Sequence, residues 1–298
     1  MGIRQLVHKY TYALLVHSGL RDWGLAHSLR SFAASIVAPM DFRTAQRTLS
    51  SDPTFSSQER SLLRQVSLHV HRKDEMYVPF DARHYLSAAL SAMRCIESAL
   101  QKAGGGRAVR SILDFPCGYG RVLRFLRAKF PDAEITAFEL DKSALAFCKE
   151  SFYVKTVEST TDFSKLSVPG SFDLIWCGSL LTHVDENSSA KLLKFFHDHL
   201  SPGGRLLFTT HGRHPVDSIR KTRRAYGLTD AARQNLLSQY DSRGYGYADY
   251  PGRPGYGVSV ASPDRMVSIA RSVGSWKDVS FLERGWDNHQ DVYIGEME

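Results

Sequence analysis

The sequence predicts an α/β fold, a mostly parallel sheet with helices on both faces, preceded by a helical N-terminal region. Three observations carry this. From Ser111 onward, short apolar runs rich in β-branched and aromatic residues alternate with helical periodicity, the signature of a parallel sheet with crossover helices. The run Ser111-Ile112-Leu113-Asp114-Phe115-Pro116-Cys117-Gly118-Tyr119-Gly120-Arg121 compresses a strand, a tight loop and a helix start into one stretch. Before residue 104, by contrast, apolar residues recur three and four apart with no strand-like alternation.

Taken in order, residues 1–104 are expected as a helical cap. Gln5 to Ser18 and Trp23 to Val37 have helical spacing. Ser56/Ser57 with Glu59 is a helix start, continued by Leu62, Leu63, Val66 and Val70. Asp81 is expected to cap a longer helix through Tyr85, Leu86, Leu90, Met93, Ile96 and Leu100. Gly104-Gly105-Gly106 closes that helix and links to a second domain over 105–298. There, Ile112 to Asp114, Ala133 to Glu139, Phe172 to Cys177 and Leu200 to Thr210 are strands. A helix beginning at Arg121 is expected to carry Arg121, Arg124 and Arg127 on a solvated face, with Arg121 the exception, placed to reach a ligand carboxylate. Residues 211–261 interrupt the pattern with charged helical pieces and a tyrosine-rich loop, Gly244 to Gly257, expected as a substrate lid. Ser262-Pro263-Asp264 starts a further helix. Val279 to Leu282 and Asp291 to Ile294 are the last strands, joined by Glu283 to Gln290.

Composition narrows the classes. The chain has 298 residues, formal charge +7, and no apolar run long enough to span a bilayer. Four cysteines without a C-x-x-C fit a reducing cytoplasm, with no disulfide framework and no metal site. The only dense basic cluster, Arg220-Lys221-Thr222-Arg223-Arg224, has no interleaved aromatics, so it reads as a solvated face before a nucleic-acid surface.

The Gly118-x-Gly120 loop at a helix start is a nucleotide-type seat, with free N–H groups and room for close approach. Leu123 stands where a dinucleotide fingerprint needs its third glycine, and no Gly-Lys-Ser/Thr follows, so NAD and P-loop readings fail. Asp114 suits a ligand bearing an ammonium group. Glu139, about twenty residues past the glycines, can reach ribose hydroxyls. Thr161-Asp162-Phe163 precedes the Phe172 strand, and Leu200-Ser201-Pro202-Gly203-Gly204 turns into the next.

In this order, over about 110 to 211, these segments resemble the motifs of the class I S-adenosylmethionine (SAM) methyltransferases. The Pro-Cys-Gly-x-Gly-Arg-Val-Leu-Arg loop and the late Trp286-Asp287-Asn288-His289-Gln290-Asp291 segment resemble a bacterial small-molecule-type subgroup. The resemblance implies a Rossmann-like sheet of seven strands with an antiparallel last strand. It also implies SAM as cofactor and S-adenosylhomocysteine as product. Cofactor contacts are then expected from Asp114, Pro116, Cys117, Gly118, Gly120, Arg121, Glu139, Leu140, Thr161, Asp162, Phe163, Cys177 and Gly178. An Asn/Asp-Pro-Pro-aromatic motif, the mark of DNA amino-methyltransferases, is absent, and Pro116-Cys117 lies in the cofactor loop, not where a cytosine-C5 nucleophile sits.

Methyl transfer to oxygen often needs a base. His211 directly follows a strand and is the first candidate, with His183 and His289 next. Tyr245, Tyr247, Tyr256, Trp286 and Asn288 are expected to contact the acceptor. The favoured acceptor is a hydroxyl on a small molecule. An RNA or protein methyltransferase and a non-catalytic SAM-binding module stand as alternatives.

Overall fold

A computed structural model describes residues 23–102, 108–222 and 225–298. The helix expected over Gln5 to Ser18, the glycines 104–106, and Arg223 and Arg224 lie outside the described residues. The rest falls into two compact units, one up to Ala89 and one from Leu90 onward.

The first unit holds α1 (Trp23–Ser51), α2 (Ser57–Gln65) and the start of α3 (Ala82–Lys102). Helix α1 runs on past Val37, through Pro39. Helix α2 opens with a capping box. Ser56 Oγ accepts the Glu59 N–H at 3.2 Å and Glu59 Oε2 accepts the Ser56 N–H at 2.7 Å. It stops at Gln65, short of the expected Val70, because Val66 is already extended. Phe42, Tyr77 and Tyr85 form an aromatic core with centroids 5.1 to 6.3 Å apart. Buried Asp41 accepts the Tyr77 hydroxyl and the Ala82 N–H, so a free amide at the start of α3 is satisfied from α1.

The second unit is a seven-stranded sheet flanked by helices. Its strands are β1 (Ser111–Asp114), β2 (Glu134–Glu139), β3 (Lys155–Glu158), β4 (Phe172–Cys177), β5 (Leu200–Thr210), β8 (Trp276–Trp286) and β9 (Gln290–Met297), with β6 (Tyr245–Tyr250) and β7 (Arg253–Ala261) set apart. The order is β3-β2-β1-β4-β5-β9-β8, with β1 to β5 parallel and β9 antiparallel to both neighbours. Strand β4 is buried along its whole length, as a central strand covered on both faces must be. Helices α4 (Leu123–Lys129), α5 (Lys142–Phe152), α6 (Glu186–Asp198) and α9 (Pro263–Ser272) complete the layers. Ser262 caps α9, its hydroxyl accepting the Arg265 N–H.

Three local expectations are corrected. Helix α4 begins at Leu123, not Arg121, and its arginines are not a solvated face. Arg124 is buried, its Nε donating to the Gly120 carbonyl at 3.0 Å with its guanidinium over Phe152. Arg127 donates to the carbonyls of Phe152, Pro131 and Ala133. A guanidinium has donors enough to collect carbonyls at a helix end, which three-residue periodicity alone does not reveal. The tyrosine-rich stretch is not a loop but a β-hairpin, β6 (Tyr245–Tyr250) and β7 (Arg253–Ala261). Its alternation puts Ala248, Val258 and Val260 into a small core with Val216, Ile219, Leu228 and Leu236 of the same insertion, which includes α7 (Arg213–Lys221) and α8 (Asp230–Arg243). Finally, β8 and β9 extend until only Asp287-Asn288-His289 separates them. Asp287 and Asn288 both sit at φ +54, and the His289 N–H reaches the Trp286 carbonyl, closing a tight primed turn where a longer loop was expected.

Candidate active site

Because β9 runs antiparallel, its first residues lie at the same sheet edge as the carboxyl ends of β1 to β5. Gln290 to Asp291 thus meet Thr210, which pairs with Asp291. Open α/β sheets bind ligands at that edge.

The β1 side of the edge is a loop held open around two carboxylates. Gly118 and Gly120 adopt φ +51 and +80, and a Cβ on Gly120 would lie 2.3 Å from the Phe152 ring. Glu139, at the end of β2, accepts the Gly118 N–H through Oε2 at 2.9 Å and the Leu140 and Asp141 N–H groups through Oε1. Asp141, its neighbour in sequence, is committed elsewhere: it caps α5 through the Ser143 N–H and accepts the Tyr119 hydroxyl. Asp114 is 1% exposed, and its Oδ2 has no hydrogen-bond partner. Burial, and then the nearby Glu139 charge, push its carboxyl well above the usual carboxylate range. A buried unpaired carboxylate is costly unless something compensates it. The loop is therefore short of positive charge, and a ligand carrying an ammonium and a sulfonium fits that deficit.

The Arg121 guanidinium lies 5.3 Å above Trp286, whose ring meets Trp176 edge-on at 5.4 Å; Gly178 packs against both indoles. Cys117 and Cys148 both direct their thiols to the Gly118 carbonyl. Pro116 is half-buried and Thr161 exposed, while Leu140 leaves 51% of its surface open beside Glu139. Asp162 is occupied locally: Ser164 and Lys165 hold its carboxyl down to about 2. Phe163 packs on the main core, and Cys177 is buried in it.

Beyond β4 and β5 the three candidate histidines come together. His211 is 4% exposed and its Nδ1 meets the Ser259 carbonyl at 3.1 Å. His183 Nδ1 meets the Gly257 carbonyl at 2.9 Å. A carbonyl only accepts, so both imidazoles carry their proton on Nδ1 and present Nε2 as an acceptor. Backbone bonds stitch the same strand to this edge: Gly257, Ser259 and Ala261 donate to the carbonyls of His183, Thr182 and His211. Burial, then the neighbouring His183 and His289, lower His211 to about 3; burial also lowers His183 and His289. His289 stands edge-on to His211 at 5.7 Å.

Aromatic residues frame the histidines. Tyr256, 40% exposed, stacks on His183 at 4.9 Å, with Tyr250 at 6.0 Å from the same ring. Tyr226 lies 5.0 Å from His211 and hydrogen-bonds His289. Below them Ser179, Thr209 and Gln290 close a ring: the Ser179 N–H donates to Thr209 Oγ1, that hydroxyl to Gln290 Oε1, and Gln290 Nε2 to Ser179 Oγ. Sequence reasoning missed Tyr226 and, of this ring, Ser179 and Thr209. The one available signal was position, since Ser179 follows β4 and Thr209 ends β5.

Four expected acceptor contacts sit differently. Tyr245 is buried, its hydroxyl donating to the Val184 carbonyl and meeting Ser189 Oγ, so it is a core residue. Tyr247 bonds Asp249. Trp286 is buried against Trp176. Asn288 is exposed at the turn tip. Asp291 is fully buried; its Oδ1 accepts the Arg284 N–H, and its unpartnered Oδ2 lies where a Cβ on Gly212 would be, 1.8 Å away.

Residues 112–204 match the methyltransferase domain family. The malonyl-[acyl-carrier protein] O-methyltransferase of Priestia megaterium is 32% identical over 103 residues, covering 34% of this chain and 37% of that protein. The ubiquinone biosynthesis O-methyltransferase of Azotobacter vinelandii is 28% identical over 125 residues, 40% of this chain and 50% of that protein. The chain thus spans about half, or less, of these curated relatives. Among solved structures, Streptomyces venezuelae DesVI superposes with TM-score 0.50 at 14% identity, over 72% of this chain and 93% of that one, a likeness of fold. The match over residues 112–204 is to the class I SAM-dependent methyltransferases, whose cofactor is S-adenosylmethionine.

Proposed function

We propose that the chain transfers a methyl group from SAM to a hydroxyl oxygen of a small molecule. The observation that carries this is a single sheet edge with a cation-deficient carboxylate pair, Asp114 and Glu139, beside three imidazoles whose charged forms are disfavoured. SAM, when bound, supplies an electrophilic methyl on a sulfonium. Asp114 would hold the ammonium, Glu139 the ribose hydroxyls and Arg121 the carboxylate, with Leu140 against the base. Buried walls exclude water and hold an acceptor in line, the main requirement of such a displacement. His183 and His211 offer proton acceptors where the acceptor hydroxyl would lie, and His289 stands behind Tyr226, which hydrogen-bonds its Nε2.

The names of both relatives end in O-methyltransferase, which favours oxygen as the atom methylated. The β6–β7 hairpin, bonded through its backbone to Thr182, His183 and His211, acts as a fixed wall more than a swinging lid. Arg220 of the basic cluster is paired with Asp241, which leaves less charge for an RNA partner. Four buried free thiols, Cys95, Cys117, Cys148 and Cys177, suit the cytoplasm.

Calorimetry with SAM tests the cofactor seat, and no binding would overturn it. Incubation of the enzyme with labelled SAM and a small-metabolite pool tests the acceptor. Label transferred only to RNA or protein, or to nothing, would overturn the small-molecule reading.

A further inference from the structure

We propose that Tyr226 and His289 form the exit path for the proton released at the acceptor hydroxyl, with Tyr226 passing it from the acceptor to His289. This rests on the methyl-transfer reading above. Tyr226 sits in a short 3-10 turn (Ala225–Gly227) at φ +60, a left-handed conformation that a bulky residue adopts only under constraint. The constraint is visible. Its hydroxyl lies 3.0 Å from His289 Nε2, its ring stacks on His289 at 6.1 Å with planes 21° apart, and the His211 ring lies 5.0 Å away.

The chemistry requires such a path. His211, only 4% exposed, holds a proton too weakly to keep one at neutral pH. It can orient a hydroxyl through Nε2, but its proton must travel to a group that reaches water. His289 is only half-buried. The groups facing it are His214 from α7, Asp287 and Arg284 from the β8–β9 turn region, His211 from the end of β5, and Tyr226 itself. His214 and Arg284 favour its neutral form and Asp287 its charged form. Burial and the nearby Tyr250 push the Tyr226 phenol up to about 12, so it keeps its proton at neutral pH and donates it to His289 Nε2.

In the step, the acceptor O–H bond breaks as its oxygen bonds to the transferred methyl carbon, and the electron pair of the methyl–sulfur bond stays on sulfur. The released proton goes to the Tyr226 oxygen while the Tyr226 proton moves to His289 Nε2. His289 then gives its Nδ1 proton to water. No oxidant or further reactant enters.

Two measurements on the full chain test this. The first is imidazole 15N NMR of the protein without acceptor. His289 should carry its proton on Nδ1, and Tyr226→Phe should shift it toward the Nε2–H tautomer. Finding Nε2–H in the unaltered protein would overturn the path. The second uses whichever acceptor the metabolite-pool assay identifies. Tyr226→Phe and His289→Gln should each lower kcat at least tenfold, remove the same acidic limb of the pH–rate profile, and leave SAM affinity unchanged. A profile identical to the unaltered enzyme would refute the relay. Failure of the pool assay would instead strike the methyl-transfer reading, with the NMR result still deciding the path.

Discussion

Replacing Asp114 by Asn should make the ligand-free protein more stable while destroying its affinity for SAM. The carboxylate is buried with one oxygen unpartnered and the Glu139 charge close by, so the folded protein resists ionising it. The unfolded chain ionises it freely, with a pKa near 3.8. The cost of keeping the group protonated grows by about 1.4 kcal/mol for each pH unit above that value. At pH 7, roughly three units higher, the ceiling is about 4 kcal/mol. A raised folded pKa means that stability rises as pH falls toward the unfolded value. The advantage of the Asn variant should therefore be largest at pH 7 to 8 and fade near pH 4. Urea denaturation of both proteins across pH 4 to 8, without SAM, reads this directly, and calorimetry with SAM reads the loss of binding. A variant less stable than the parent at pH 7, or a stability difference independent of pH, would refute the account of Asp114 as an uncompensated charge awaiting a cationic ligand.

Glu139→Ala should weaken SAM binding by at least tenfold in calorimetry, and unchanged affinity would remove its ribose role. His211 binds a proton near pH 6.5 when unfolded but only near 3 when folded, so stability should fall as pH drops below 6.5. Its share of that fall between pH 7.5 and 5 is about 2 kcal/mol, and denaturation of His211→Asn should lack it. Gly212→Ala should cost about 2 kcal/mol or more in thermal or urea unfolding, because the added Cβ meets Asp291 Oδ2. Adding Asp291→Ala should recover part of the loss, and strict additivity of the two changes would argue against the clash.

Local chemistry decided what the sequence made legible. Asp114, the two glycines and Glu139 act within one strand–loop–helix unit, where spacing in sequence is nearly spacing in space. Ser262 and Ser56 are read the same way, since a cap lies within a turn of the amides it serves. The alternating pattern of Tyr245 to Ala261 was hidden by its glycines and prolines, which mark a loop by composition yet here form a paired strand edge. Nothing local announces that Tyr245 goes inward and Tyr256 outward, because the choice depends on α6 and His183, some sixty to seventy residues away in the chain. Tyr226 was invisible for the same reason: its partner His289 arrives only when β9 folds back antiparallel against β5.

The two imidazole contacts with β7 have a geometric consequence. Gly257 and Ser259 are two residues apart, and along a strand carbonyls recur on one side every second residue, about 6.6 Å apart. The strand is thus a ruler that sets the gap between His183 and His211 and the tautomer of each. Inserting or deleting one residue there would turn both the N–H and the carbonyl facing one imidazole to the other side of the strand, removing the acceptor that fixes its tautomer. Length changes in this hairpin should be tolerated at its Pro251-Gly252 tip, where no imidazole depends on the count, and not between Gly257 and Ser259.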